Sequence, residues 1–118
     1  MSQSFYQHMN TTETMTQVKI TVLQVQDPKK LFGDNPPVTL SPGFGPCDKH
    51  HVGQEFTVEQ DYQMPEGFCN YSWYGIHTAV RMLLFGGDYP WAIDKGSAVV
   101  CCNDGLRPVI YKLERVED

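Results

Sequence analysis

The sequence predicts a small α+β domain with a mainly antiparallel, four-stranded sheet and one main helix. Its 118 residues suit one domain. Four short segments are rich in β-branched residues or alternate between apolar and polar side chains. One longer segment between the second and third of these has helical spacing. The resulting order, ββαββ, is typical of the α+β class.

The first two predicted strands are residues 18–25 and 54–58. Alternation along them places a set of apolar side chains on the core face. That set is Val18, Ile20, Val22, Phe56 and Val58. Between these strands, residues 27–46 contain five prolines and three glycines, which predicts a long irregular loop. Long loops in compact domains are often functional.

The predicted helix begins near Asn70 or Ser72, either of which could cap it, and runs to about Phe85. The pair Gly86 and Gly87 then provides a stop. An apolar stripe along the helix would face the sheet. It consists of Trp73, Ile76, His77, Val80 and Leu84. His77 on this stripe is best interpreted as a core histidine with its hydrogen bonds satisfied.

The last two predicted strands, residues 97–102 and 108–113, form a hairpin through an Asn-Asp-Gly turn at residues 103–105. Val109, Tyr111 and Leu113 share one face of the final strand. Residues 1–16 are predicted to be a flexible polar tail, and residues 17–118 a single α+β domain.

Charge and hydropathy exclude several classes of partner. The net charge is −5, and no basic cluster is larger than Lys29-Lys30. This argues against nucleic acid and anionic membrane surfaces. No apolar run approaches the roughly 20 residues of a membrane helix. Residues 1–16 also lack the pattern of a secretory signal, so we expect a cytoplasmic protein with reduced thiols. In a processed, secreted protein the four cysteines could instead form two disulfides.

Five motifs resemble those of a family of small, largely uncharacterised proteins from bacteria, archaea and fungi. The motifs are a Cys47 loop, His50-His51-Val52-Gly53-Gln54-Glu55-Phe56, Pro65-Glu66-Gly67-Phe68-Cys69, Phe85-Gly86-Gly87-Asp88-Tyr89-Pro90-Trp91 and Cys101-Cys102-Asn103-Asp104-Gly105-Leu106-Arg107-Pro108-Val109. The resemblance covers roughly residues 18–116. It implies a Cys/His site more than any particular activity. Fungal members look like accessory enzymes of secondary metabolism.

Three separated segments carry cysteines, and with histidine these are ligands for soft metals. Cys47 and His50 form a chelate pair on a loop, and Cys69 lies at the helix start. One residue of the pair Cys101 and Cys102 would complete a four-ligand site for zinc, copper or iron. The alternative is that the cysteines are simply small core hydrophobes.

Neighbouring strand residues face opposite ways, so only one of the pair Cys101 and Cys102 can join the site. Cys102 shares its face with Ala98 and Val100, which look like core residues. We therefore predict Cys101 as the fourth metal ligand.

Cysteine catalysis without a metal is a second interpretation. Cys69 at a helix N-terminus would benefit from amide dipoles that favour a thiolate. His50 or His51 could act as its base. The alternative is that Cys69 only fills space beneath the helix entry.

Acid–base catalysis is a third interpretation. His50, His51, Asp104 and Arg107 could line one pocket, with Arg107 holding a carboxylate or enolate oxygen. The aromatic walls would be Tyr62, Trp73 and Trp91. The competing interpretation is that Asp104 shapes the turn and that Arg107 forms a surface ion pair.

The leading hypothesis is thus a small intracellular protein with a Cys/His metal site that could serve catalysis. The alternatives are a metal-independent lyase or isomerase acting on a secondary-metabolite intermediate, and a non-catalytic module binding a small molecule. A homodimer is also expected, because one helix on a four-stranded sheet could leave an apolar face uncovered.

Overall fold

A computed structural model of the chain describes residues 16–117. The elements in chain order are β1 (Thr16–Val25), α1 (Pro28–Phe32), β2 (Glu55–Val58), α2 (Asn70–Leu84), β3 (Ser97–Cys101) and β4 (Val109–Glu117). The strands form one antiparallel sheet in the order β2-β1-β4-β3. The predicted α+β fold is confirmed. The tail prediction falls outside the described residues except at Thr16, which already belongs to β1.

The core lies between this sheet and α2. Alternation along β1 and β4 turns one set of side chains inward, as the sequence predicts. The fully buried members of this set are Val18, Ile20, Val22, Val109, Tyr111 and Leu113. Strand β4 runs four residues beyond the predicted end, because its pairing with β1 continues to Thr16 opposite Glu117. A bulge between Val22 and Gln24 interrupts this pairing near the other end.

Helix α2 begins one turn earlier than a Ser72 cap would place it. Its N-cap is Cys69, whose extended backbone (φ −67°, ψ 121°) precedes the first helical residue and whose carbonyl accepts from the Trp73 amide. Neither Asn70 nor Ser72 caps the helix, because both lie within it. Ser72 instead turns its hydroxyl into the core.

The inward face of α2 is broader than the predicted stripe. Ile76, Val80 and Leu84 are buried as expected, whereas Trp73 and His77 are only half-buried. The helix ends as predicted at the glycine pair. Gly86 adopts φ 91°, and the Gly86 and Gly87 amides donate to the Leu83 and Met82 carbonyls, which is the pattern of a Schellman motif.

The proline-rich loop is not wholly irregular. Residues Pro28–Phe32 form the short helix α1, which the sequence prediction missed. Asp27 caps it, since its Oδ1 accepts from the Lys29 amide at 2.9 Å, and Pro28 supplies a φ suited to a first helical turn. The sequence pair Asp27-Pro28 was the feature that could have predicted this helix.

Arg115 fastens the far end of α2 to the sheet. Its Nη1 donates to the carbonyls of Leu83 (3.1 Å) and Gly87 (2.8 Å), and its Nη2 pairs with the Asp88 carboxylate at 3.3 Å. Asp88 also accepts from the Gly96 amide, and this bond, followed by the Arg115 charge, holds the pKa of Asp88 below its ordinary value. The Gly-Gly-Asp turn thus connects the C-terminal end of α2 to β4 through Arg115.

The sheet face that α2 leaves open is crossed by charged side chains. Lys19 of β1 lies 3.8 Å from Glu55 and 3.7 Å from Glu114, and Lys112 lies 3.5 Å from Glu114. This charged ladder is unlike the uncovered apolar face from which a homodimer was predicted. Within residues 16–117, no helix has the length and apolar character needed to cross a membrane.

Candidate functional site

Tyr111 lies at the centre of the candidate site. It is completely buried on β4, and its hydroxyl donates to Oγ of Ser72 on α2 at 2.7 Å. Burial raises the pKa of Tyr111 above its ordinary value, and negative charge on Cys102, Cys69 or Cys47 would raise it further. The phenol therefore stays protonated. Cys102 belongs to the same hydrophobic core as Tyr111, and Cys47 packs against that core. We call these two cysteines, together with Cys69 at the start of α2, the thiol cluster.

Cys102, which directly follows β3, belongs to the thiol cluster, whereas Cys101, the last residue of β3, does not. Cys102 is buried, and its Sγ accepts from the Val109 amide at 3.3 Å. Cys101 is exposed on the open face of the sheet with Val99. As alternation predicts, Cys102 lies on the core face with Ala98, and Cys101 lies on the opposite face. The site is built into the core face of the sheet, so the cysteine beside Ala98 is the one that lies inside.

His50 is buried and fully hydrogen-bonded, which argues against its predicted roles as metal ligand and base. Its Nε2 accepts from the Cys69 amide at 3.1 Å, so Nδ1 carries the proton and donates to Gln54 Oε1 at 2.9 Å. The ring also packs against Phe56 and Phe68, with centroids 5.2 and 5.1 Å away. His50 thus positions the helix entry as a neutral imidazole.

The electrostatics agree with this hydrogen bonding. Burial lowers the pKa of His50 from its ordinary value of 6.5. The bond to Gln54 works in the opposite direction, whereas the charges of Lys49 and His51 lower the pKa further. A neutral ring is also required by the Cys69 amide, because a protonated Nε2 could not accept its hydrogen bond.

Cys69 combines partial burial, which it shares with Cys47, with a position at the start of a helix. It is half-buried at the N-cap of α2, and its side chain makes no capping hydrogen bond. Its main chain is held on both sides, by the amide bond to His50 and by the carbonyl bond to Trp73. The result is a fixed backbone that carries an unengaged sulfur.

Asp104 and Arg107 close the β3–β4 turn, and their polar atoms are engaged in contacts within the protein. Asp104 Oδ1 accepts from the Leu106 amide at 3.0 Å, and Oδ2 accepts from Arg107 Nε at 3.1 Å. The Arg107 guanidinium stacks 4.4 Å from the Phe44 ring centroid and donates to the Gly45 carbonyl at 3.4 Å. These contacts fasten the loop two residues before Cys47, so both side chains are better described as positioning residues.

The remaining predicted pocket residues are not brought together. His51 is exposed. Tyr62 packs on Phe85, at the C-terminal end of α2 and about 20 Å along the helix from Cys69. Trp91 is 78% exposed, whereas Trp73 is half-buried beside Phe68. A single pocket walled by Tyr62, Trp73 and Trp91 is therefore not formed.

The predicted metal site gains no support from the geometry. Within residues 16–117, no three His, Cys, Asp or Glu side chains are arranged so that they could hold a metal ion. All four cysteines are free thiols. Zinc, copper or iron binding by Cys47, His50, Cys69 and Cys101 remains a prediction.

Two residues of the site, Ser72 and Tyr111, were missed as site residues in the sequence. Each is a hydroxyl-bearing residue at a position where the helix or strand pattern turns inward. Two hydroxyls on facing core positions usually bond to each other, because burying either alone is costly. The presence of these two hydroxyls at inward-facing positions was the sequence feature that could have identified them.

No family model, curated protein or solved structure matches the chain. The resemblance carried by the five sequence motifs therefore remains a prediction, and any function must be argued from the site itself.

Proposed function

We propose that this domain is a metal-independent cysteine enzyme of the lyase or isomerase type, with Cys69 as the nucleophile. The observation that supports this proposal most is the difference between the backbone and the side chain of Cys69. Its backbone amide is fixed by His50, while its thiol is partly accessible and free of a capping bond. A positioned and unengaged thiol is what nucleophilic catalysis requires.

The other two thiols are less suited to that role. Cys102 is buried and its sulfur already accepts a hydrogen bond. Cys47 lies on a loop whose position depends on the contacts of Arg107 with Phe44 and Gly45. Helix N-termini favour negative charge, so the entry to α2 suits an anionic sulfur better than a loop does.

The simplest reaction for such a site is reversible conjugate addition. The Cys69 thiol releases its proton to solvent, and the sulfur forms a C–S bond to the β-carbon of an α,β-unsaturated carbonyl compound. The π electrons move to the carbonyl oxygen and give an enolate. After rotation about the former double bond, the enolate re-forms C=C and expels the thiolate. The net result is a cis–trans isomerisation that consumes no oxidant or reductant.

Dimethyl maleate is a suitable probe, because addition and elimination of a thiolate convert it to dimethyl fumarate. We expect the protein to catalyse this conversion with EDTA present, and to form an adduct that peptide mass mapping locates at Cys69. Cys69→Ser should abolish both signals. The matched control, Cys101→Ser, should leave both unchanged because Cys101 lies on the open face.

The competing functions give different results. Equal conversion by the wild type and Cys69→Ser, or no conversion and no adduct at Cys69, would overturn the enzymatic proposal and leave a binding module. Near-stoichiometric metal in protein purified without chelator, with activity lost on its removal, would instead favour the Cys/His metal site.

A further inference from the structure

A groove separate from the thiol cluster lies where α1, the proline-rich loop, the first turn of α2 and the β3–β4 turn meet. We propose that it binds a small, uncharged aromatic molecule. Its volume is ≈ 400 Å³, within the range of roughly 300–1,000 Å³ that is usual for small-molecule sites. The lining residues used below are Phe32, Val38, Tyr71, Asn103 and Asp104.

One wall of the groove depends on a glycine of α2, Gly75. Tyr71 and Gly75 are four residues apart and therefore share a face of α2. A Cβ at Gly75 would stand only 2.7 Å from Asn103 Oδ1. Because Gly75 lacks a side chain, Asn103 can lie against the helix beside Tyr71, with its amide at the edge of the groove.

The chemistry of the lining indicates the class of ligand. Phe32, Val38 and the half-exposed Tyr71 ring offer apolar and aromatic surface. Asp104, the one charged residue in the lining, is neutralised by Arg107 at 3.1 Å. A charged ligand would lose hydration without gaining a partner. An uncharged aromatic compound can pack on these walls and hydrogen-bond to Asn103.

This site is distinct from the thiol cluster and does not depend on the proposed activity of Cys69. Tyr71 is two residues beyond Cys69, and side chains at that spacing point to different sides of a helix. Ser72, not Tyr71, bonds to Tyr111 in the core. Failure of the conjugate-addition proposal would therefore leave the groove proposal standing, and the reverse also holds.

The test uses 2-naphthol as an uncharged probe and 2-naphthoate as its anionic counterpart, titrated into isotopically labelled protein and followed by amide NMR. The disrupting variant is Val38→Asp, which puts a charge on the groove wall. The matched control is Val99→Asp. Both valines are well exposed (55% and 65%), but Val99 lies on the open sheet face opposite Lys112.

We expect 2-naphthol to shift the amides of Val38, Tyr71 and Asn103, and to bind more tightly than 2-naphthoate. Val38→Asp should weaken its binding about tenfold, because the new carboxylate must lose water when the groove is filled. Val99→Asp should bind like the wild type. The proposal is overturned if no shifts appear at millimolar 2-naphthol, if they lie away from the groove, or if both variants bind equally well.

Discussion

The backbone amide of Cys69 donates a hydrogen bond to Nε2 of His50 at 3.1 Å, across 19 residues of sequence. The other ring nitrogen of His50 bonds to Gln54 just before β2. One buried imidazole thus joins the edge of the sheet to the start of α2. The backbone position of Cys69 depends on this link, and we expect the stability of the domain to depend on the protonation state of the ring.

Stability should fall as the pH drops below about 6.5. The pKa of His50 is lowered by folding, so the unfolded chain takes up the proton first. The contribution of His50 is therefore complete above 6.5 and is lost as the pH falls from there toward its folded pKa. Urea unfolding at pH 7.5 and 5.5 measures this. His50→Gln should show less change between the two pH values than the wild type, whereas His51→Gln, at an exposed position, should behave like the wild type.

Tyr111→Phe should destabilise the domain by about 1–3 kcal/mol, because it leaves the buried Ser72 hydroxyl without its partner. Ser72→Ala should cost a similar amount for the corresponding reason. The double variant should cost less than the two single variants added together, since no hydroxyl is then left unpaired. A double-mutant cycle by chemical unfolding tests this, and strict additivity would show that the hydrogen bond is not formed.

The effect of Gly75→Ala on the stability of the domain should depend on the residue at position 103. Alanine favours a helix over glycine by about 1 kcal/mol, but its Cβ would collide with Asn103 Oδ1. We expect the substitution to be neutral or destabilising in the wild type and stabilising in an Asn103→Ala background. Thermal unfolding of the four proteins measures both effects, and the same gain in both backgrounds would contradict the observed contact.

Arg115→Met should destabilise the domain by about 2–3 kcal/mol, because the Leu83 and Gly87 carbonyls lose a charged donor. Lys112→Met is the control on the same strand. Its charge lies on the open face, where such ion pairs contribute little. Chemical unfolding should therefore separate the two variants clearly, and equal losses would refute the structural role given to Arg115.

Much of the fold could be predicted because period-two alternation and helical spacing depend on local sequence. Val18, Ile20 and Val22 on β1, and Val109, Tyr111 and Leu113 on β4, lie inward as that alternation requires. The extension of β4 to Glu117 was missed because it depends on pairing with β1 and not on its own apolar residues.

The site was only partly predictable, since its geometry depends on contacts distant in sequence. The convergence of the cysteine segments on one metal site stays a prediction, and alternation alone could not show which face of the sheet a site would occupy. Cys101 was therefore chosen where Cys102 lies inside. His50 was read as a reactive group because nothing local indicates that the Cys69 amide and Gln54 satisfy both of its nitrogens.

The most direct test of the proposed nucleophile is the alkylation rate of Cys69 by iodoacetamide in the Cys101→Ser protein, measured by timed quenching and peptide mass mapping in the folded state and in urea. If the fold presents Cys69 as a nucleophile, it reacts faster in the folded protein than in urea, while buried Cys102 is protected until unfolding. If folding slows alkylation of Cys69 as it slows that of Cys102, the thiol is a packing residue and the proposed activity is wrong.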